Sequence, residues 1–124
     1  MPYMLDANAF ILLLTGHPSL VARAEECEEG ELIMSAIAFA EVAHGSANGK
    51  APPEEVLQRA VARIPVLPFD TAAAQLYSRL PFKRGSFDRL IAAHALALDV
   101  VLVTANIGDF GNLDGLKLEN WAQS

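Results

Sequence analysis

Residues 87–103 read Phe-Asp-Arg-Leu-Ile-Ala-Ala-His-Ala-Leu-Ala-Leu-Asp-Val-Val-Leu-Val, and this stretch decides the fold class. In its first twelve residues the apolar side chains recur close to helical spacing, at Phe87, Leu90, Ile91 and Leu98. The last four residues form an unbroken apolar run, which is typical of a short strand buried on both faces. The stretch therefore predicts a helix that leads into a buried strand.

The same alternation of helices with short apolar strands runs through the rest of the chain. Strands are predicted at 2–5, 31–34, 65–67, 100–103 and 116–118. Helices are predicted at 7–14, 18–28, 36–46, 53–62, 70–79 and 87–98, with a short one near 107–110. Strands separated by helices indicate an α/β fold with a parallel sheet and helices on both faces. In such sheets, functional sites form beyond the carboxyl ends of the strands.

Composition limits the classes of protein to which the chain can belong. With 124 residues, 52% of them apolar, we expect residues 1–124 to form a single domain with its own core. The single cysteine, Cys27, excludes an intrachain disulfide and suits a reducing cytoplasm. The apolar run Phe10–Leu14 is too short to span a membrane. A net charge of −6 argues against broad electrostatic binding of nucleic acid, although an enzyme can reach phosphates through a metal and a few local cations.

Four acidic residues occur where this fold would hold a metal ion. Asp6 closes the first apolar strand, and Asp109 follows the apolar strand near the end of the chain. Glu41 interrupts an apolar helix, and Asp88 opens another. Lone carboxylates at the edges of buried elements are costly unless a positive charge lies between them. We therefore expect a divalent cation, and ligands that are all oxygens favour Mg²⁺ or Mn²⁺ over zinc.

Each of these acids also has a purely structural interpretation. Asp6 fits the N-cap of the first helix, and Asp88 fits the first turn of a helix that Ser86 caps. Asp109 is compatible with an ordinary loop, and Glu41 with a solvent-facing position. Taken one at a time, these alternatives stay open.

Four blocks of the chain resemble the PIN-domain family, in particular the VapC-like toxins of bacterial and archaeal toxin–antitoxin pairs. Residues 3–8, Tyr-Met-Leu-Asp-Ala-Asn, are similar to the family's opening strand, which ends in Asp-x-Asn. Residues 35–45 resemble its second block, with the helical glutamate, and residues 87–95 resemble the third. Residues 102–110, followed by 115–121, resemble the end of the domain. The resemblance covers nearly the whole chain.

The resemblance implies a PIN-like three-layer α/β/α sandwich around a short central parallel sheet. It also implies an endoribonuclease that depends on Mg²⁺, for which Mn²⁺ can substitute. Asp6, Glu41 and Asp88 match the three acids that hold the metal in the family. Asp109 matches a later acid, while Asn106 falls where many PIN domains have a further aspartate. The fourth ligand is therefore Asp109 or Asn106.

Further residues match supporting positions of the family. Asn8 and Thr104 match polar residues that help to order the site. Lys83, Arg84 and Arg89 flank the third acid, where they could contact RNA phosphates or simply be solvated surface charges.

Two departures from the family pattern leave room for another function. Ala7 replaces the threonine or serine that the family often has, and the segment 81–86 before the third acid is shorter than usual. The main alternative is therefore a non-catalytic PIN-like module that binds a protein. A receiver-like phosphotransfer domain is a weaker alternative, because the chain lacks an acidic pair near the first strand.

The family also implies partners. VapC-like proteins act on RNA, usually form homodimers and are held inactive by a small antitoxin protein. Residues 10–14 and 20–27 are apolar helical segments that could form such surfaces, although amphipathic helices mostly face their own core.

Overall fold

The structure, a computed structural model, describes residues 2–110 and 113–123. Its strands are β1 (Tyr3–Leu5), β2 (Leu32–Ser35), β3 (Val66–Leu67), β4 (Val101–Val103) and β5 (Leu118–Glu119). Its helices are α1 (Ala7–Leu14), α2 (Pro18–Glu25), α3 (Ala36–Ala47), α4 (Glu54–Val61), α5 (Thr71–Tyr77) and α6 (Phe87–Leu98). A 3₁₀ turn covers Ile107–Asp109. The predicted α/β fold class is confirmed.

The five strands form one parallel sheet in the order β3-β2-β1-β4-β5. In the register of the sheet, Leu5 pairs with Met34 on one side and with Val103 on the other. The three central strands therefore end at the same level. Residues that follow them emerge side by side at one edge of the sheet, which we call the carboxyl edge.

The central strands are buried because helices cover them. Met4, Leu5, Met34, Leu102 and Val103 have no exposed surface. Full burial of side chains of this size is worth about 1.5–3 kcal/mol each, so the strands that carry the carboxyl edge belong to the most stable part of the fold. No helix within residues 2–110 and 113–123 has the length and apolar character needed to cross a membrane.

Several predicted boundaries differ from the structure, most of them by one residue, and the helix predicted at 70–79 is shorter, because α5 covers Thr71–Tyr77. The second helix was expected to reach residue 28, but α2 ends at Glu25. The chain there enters a run of glutamates, whose like charges at helical spacing disfavour further turns. The last strand was expected at 116–118, but β5 is Leu118–Glu119, because its register against Leu102 and Val103 selects those residues.

Candidate metal centre at the carboxyl edge

Asp6 comes directly after β1 and is held in place by its backbone and its side chain. Its amide donates to the carbonyl of Val103 at 3.0 Å, which ties it to the end of β4. Its Oδ1 accepts a 2.8 Å hydrogen bond from the amide of Ala9 and so caps α1. The residue is only 5% exposed. The predicted cap is confirmed, and Oδ2 takes no part in it.

Glu41 lies on α3, which follows β2 and begins at the carboxyl edge. The solvent-facing alternative does not hold for the whole side chain, because Oε1 is buried and has no hydrogen-bond partner among the described residues. A buried carboxylate oxygen without a donor costs about 1–3 kcal/mol or more. Glu41 is therefore suited to bind a cation or a proton.

Asp88 lies in the first turn of α6, the helix that leads back towards the start of β4. Ser86 caps this helix, with its Oγ accepting from the amide of Arg89 at 3.3 Å, as the sequence predicts. Because α6 runs antiparallel to the strand that follows it, its first turn lies at the carboxyl edge. The half-buried Asp88 thereby joins Asp6 and Glu41.

The segment after β4 brings the last candidates to the same edge. Thr104 is buried, and its Oγ1 accepts from the amide of Asn106 at 3.0 Å. Asn106 and Asp109 are both exposed. Asn8 is exposed one residue into the helix that Asp6 caps.

The pKa values show that Asp6, Glu41, Asp88 and Asp109, the four acids, lie near enough for their charges to interact. Burial raises the pKa of Asp6, and the charges of Asp88 and Asp109 raise it further, although hydrogen bonds from Thr104 and Ala9 oppose the shift. Burial raises the pKa of Glu41, with added repulsion from Asp88 and Asp6. Burial raises the pKa of Asp88, with repulsion from Asp109 and a lowering influence of Lys83.

The donor set fits a hard divalent cation. Carboxylate and amide oxygens are the ligands of Mg²⁺ and Mn²⁺, and the unpartnered Oε1 of Glu41 adds a buried acceptor to the site. Within residues 2–110 and 113–123, no three side chains of histidine, cysteine or acidic residues lie together in an arrangement that could hold a metal ion as it stands. The fit to Mg²⁺ or Mn²⁺ therefore rests on the chemistry of the donor atoms and on the interacting charges of the acids.

The three predicted cations occupy different environments. Lys83 and Arg84 are exposed in the segment before α6. Arg89 is only 8% exposed, and its Nη1 donates to the carbonyl of Pro81 at 3.2 Å. Arg89 thus holds the 81–86 segment against α6 rather than extending into solvent beside Lys83 and Arg84.

Two clefts flank Glu41, and the sequence pattern assigned no role to most residues that line them. A cleft of about 490 Å³ is lined by Ile37, Ala40, Glu41, His44 and Phe87. A smaller one of about 210 Å³ lies on the other side of Glu41 and His44, and includes Asn8, Ile11 and Lys50. The helical spacing of Ile37, Glu41 and His44 on α3 was the available signal for this shared face.

Comparisons with known proteins agree with this architecture. A family model described as the PIN domain matches residues 3–116. A tRNA(fMet)-specific endonuclease VapC of Shigella flexneri is 30% identical over 129 residues, which cover 97% of this chain and 98% of the relative. Ribonuclease VapC2 of Rickettsia felis is 30% identical over 132 residues, which cover 98% of both proteins.

Among solved structures, VapBC2 from Rickettsia felis bound to a DNA fragment from its promoter contains a chain that is similar to this one. The TM-score is 0.85 at 29% identity, over 98% of this chain and 99% of that one. A chain of the DNA-bound VapBC complex of Salmonella typhimurium gives a TM-score of 0.81 at 26% identity, over 98% of both chains.

Proposed function

Because this chain belongs to the PIN-domain family and its relatives are VapC ribonucleases, we propose that it is a metal-dependent endoribonuclease of the VapC type. It acts as the toxin of a type II toxin–antitoxin pair and hydrolyses RNA phosphodiester bonds. Residues 1–124 form one PIN domain, which is supported by a single sheet with strands from Tyr3 to Glu119.

One observation carries this proposal. Carboxylates from four separate segments interact at the carboxyl edge, and one of their buried oxygens has no partner among the described residues. An arrangement that stabilised only the fold would not gather like charges in this way, since they repel one another and resist burial. The repulsion is relieved if a divalent cation binds.

Asp6, Glu41, Asp88 and Asp109 hold Mg²⁺ in this proposal, and Mn²⁺ can substitute. When bound, the cation supplies a water of lowered pKa and offsets the negative charge of the phosphate. Asp109 is the preferred fourth residue, because its charge acts on Asp6 and Asp88, whereas the exposed Asn106 carries no charge. Thr104 and Asn8 support the site.

The remaining polar residues of the carboxyl edge either attract the substrate or hold the site in order. Lys83 and Arg84 are exposed on the segment that precedes Asp88, and the charge of Lys83 acts on Asp88. They therefore attract the RNA backbone and partly offset the net charge of −6. Arg89 positions the segment that carries them through its contact with Pro81. Thr104 favours the ionised form of Asp6 by hydrogen bonding.

The proposed partners follow from the relatives. The solved relatives are VapBC complexes, so a small antitoxin is the proposed partner of this chain, alongside an RNA substrate. A third cleft, of about 520 Å³ and lined largely by apolar residues, several of them on α1, α2 and α4, offers a surface for it. We also propose that the protein is cytoplasmic and that it forms a homodimer.

RNA cleavage tests the proposed activity. Purified wild-type protein should cleave RNA with Mg²⁺ or Mn²⁺ and stop in EDTA, and Asp88→Asn should be nearly inactive. Asp70→Asn is a matched control, since Asp70 caps α5 and does not contribute to the raised pKa values of Asp6, Glu41 and Asp88. Cleavage that continues in EDTA, or that survives in Asp88→Asn, would refute the mechanism and favour the non-catalytic alternative.

A further inference from the structure

Two phenylalanines beside the candidate metal centre are exposed. Phe82 is 78% exposed and Phe87 is 55% exposed, although most large apolar side chains of this fold are buried. In the sequence they lie on either side of two cations, Lys83 and Arg84, and Phe87 directly precedes Asp88. Exposed aromatic rings interleaved with cations are typical of surfaces that bind single-stranded nucleic acid.

Phe87 forms one wall of the 490 Å³ cleft, opposite Ile37 and Ala40 of α3. We call this cleft the Phe87 slot (Ile37, Ala40, Glu41, His44 and Phe87). Its size falls within the range of small-ligand pockets, about 300–1,000 Å³. Most of its lining is apolar, but it ends at Glu41, whose unpartnered Oε1 belongs to the proposed metal centre.

We propose that the Phe87 slot binds a nucleobase next to the phosphate that is cut, with the base stacked on the ring of Phe87. This inference rests on the proposed function and names the part of the substrate that the site holds. A base in the slot leaves its own phosphate near the four acids, because Glu41 lines both places.

The charges around the slot favour RNA over a second protein chain. Lys83 and Arg84 lie on the same segment as Phe87 and complement phosphates. A nucleotide uses the apolar wall, the cations and the carboxylates together.

The test is fluorescence quenching of 2-aminopurine, a base analogue that loses emission when it stacks. A short uridine strand with one central 2-aminopurine is titrated with protein in EDTA, in an Asp6→Asn background that lessens repulsion of the phosphates. Phe87→Ala and Phe87→Leu should lose the quenching and bind about tenfold more weakly, whereas Phe87→Tyr, which keeps a ring, should retain both. A strand with an abasic residue at that position should bind equally to the background protein and to its Phe87→Ala variant.

Phe82→Ala is the matched control. It removes the same ring from the same segment, but Phe82 does not line the Phe87 slot. Phe82 lines a neighbouring cleft with Tyr77 and Leu90, which Phe87 also borders, so Phe82→Ala should change quenching in the slot little. Equal quenching by Phe87→Ala and by the background protein would overturn the inference. So would a lower molar mass of Phe87→Ala in light scattering, because the ring would then join two copies of the chain.

The two proposals fail in different ways. If the wild type cleaves RNA with Mn²⁺ and quenching does not depend on the ring of residue 87, the proposed base binding in the slot is wrong and the proposed nuclease activity is supported. If quenching depends on the ring but the wild type cleaves no RNA, base binding in the slot is supported and the proposed nuclease activity is wrong.

Discussion

The hydroxyl of Ser35 lies 2.8 Å from Nδ1 of His94, in the buried core, between residues 59 positions apart in the chain. Ser35 ends β2 and caps α3, with its Oγ also accepting from the amide of Ile37 at 3.1 Å. His94 lies on α6. Burial lowers the pKa of His94 and so favours its neutral ring, in which Nδ1 accepts a hydrogen bond from the hydroxyl or donates one to it according to the tautomer. The contact therefore aligns the two helices that carry Glu41 and Asp88.

Removal of the Ser35 hydroxyl should destabilise the protein more than the loss of a helix cap alone. Ser35→Ala removes the cap of α3 and leaves the buried Nδ1 of His94 without a partner. The two effects together should lower the free energy of unfolding by about 2–4 kcal/mol. Urea denaturation measures the difference.

Ser86→Ala is the control for this prediction. It removes a cap of the same chemistry from α6, at 3.3 Å, but leaves no buried histidine unpaired. It should cost about 1 kcal/mol. Equal losses for the two variants would contradict a linking role for Ser35 and His94.

The raised pKa values of Asp6, Glu41 and Asp88 predict an unusual pH dependence of stability in EDTA. The folded protein holds these protons more tightly than the unfolded chain does. Their contribution to stability is therefore complete below the ordinary carboxyl pKa of about 4 and is lost as the pH rises through the raised values. Millimolar Mg²⁺ should restore the lost stability, because the cation binds the ionised carboxylates.

Comparison with Asp88→Asn isolates this effect in thermal melts. Asparagine cannot ionise, so in EDTA the variant should become increasingly more stable than the wild type as the pH rises towards neutrality. In Mg²⁺ this difference in stability between the variant and the wild type should become smaller or change sign. A difference between the two proteins that does not vary with pH would mean that repulsion at Asp88 is negligible. His94 titrates in both proteins, so its opposite pH dependence cancels in the comparison.

A second polar cluster ties the end of the chain to the sheet. The guanidinium of Arg23 lies 4.6 Å from the ring centroid of Trp121 and 5.4 Å from that of Tyr3. Its Nη groups also approach Glu119 at 3.7 Å and Glu26 at 3.6 Å. The planar cation thus bridges α2, β1 and the residues after β5.

Arg23→Lys should lower the free energy of unfolding by about 1 kcal/mol, and Arg23→Ala by about 2 kcal/mol, since an ammonium cannot stack as a guanidinium does. Arg59→Ala, at an exposed position of α4, should change it by less than about 0.5 kcal/mol. Chemical denaturation followed by Trp121 fluorescence reports both. If Arg23→Ala behaves like Arg59→Ala, the cluster contributes nothing to stability.

Local signals in the sequence predicted most of the fold. Asp6, Asp70 and Ser86 mark helix starts, and each caps its helix in the structure. One error lies where a partner strand decides the outcome. Leu118 and Glu119 form β5 because β4 pairs with them, and no local pattern within the chain specifies that register.

The candidate site likewise contains features that the sequence predicted and features that it did not. Acids that follow strands or open helices were foreseeable, because topology brings those positions to one edge. The burial of Arg89 was not, since it depends on how the 81–86 segment folds back and presents the carbonyl of Pro81. The exposure of Phe87 could not be predicted either, because its position in the helical pattern suggested a core residue.

Calorimetric titration with Mn²⁺ tests most directly whether the four carboxylates share one divalent cation. Wild-type protein and Asp70→Asn should bind Mn²⁺ alike. Asp6→Asn, which can still cap α1, should bind it at least about tenfold more weakly. Absence of binding to the wild type, or equal affinity in all three proteins, would contradict a shared metal centre at the carboxyl edge.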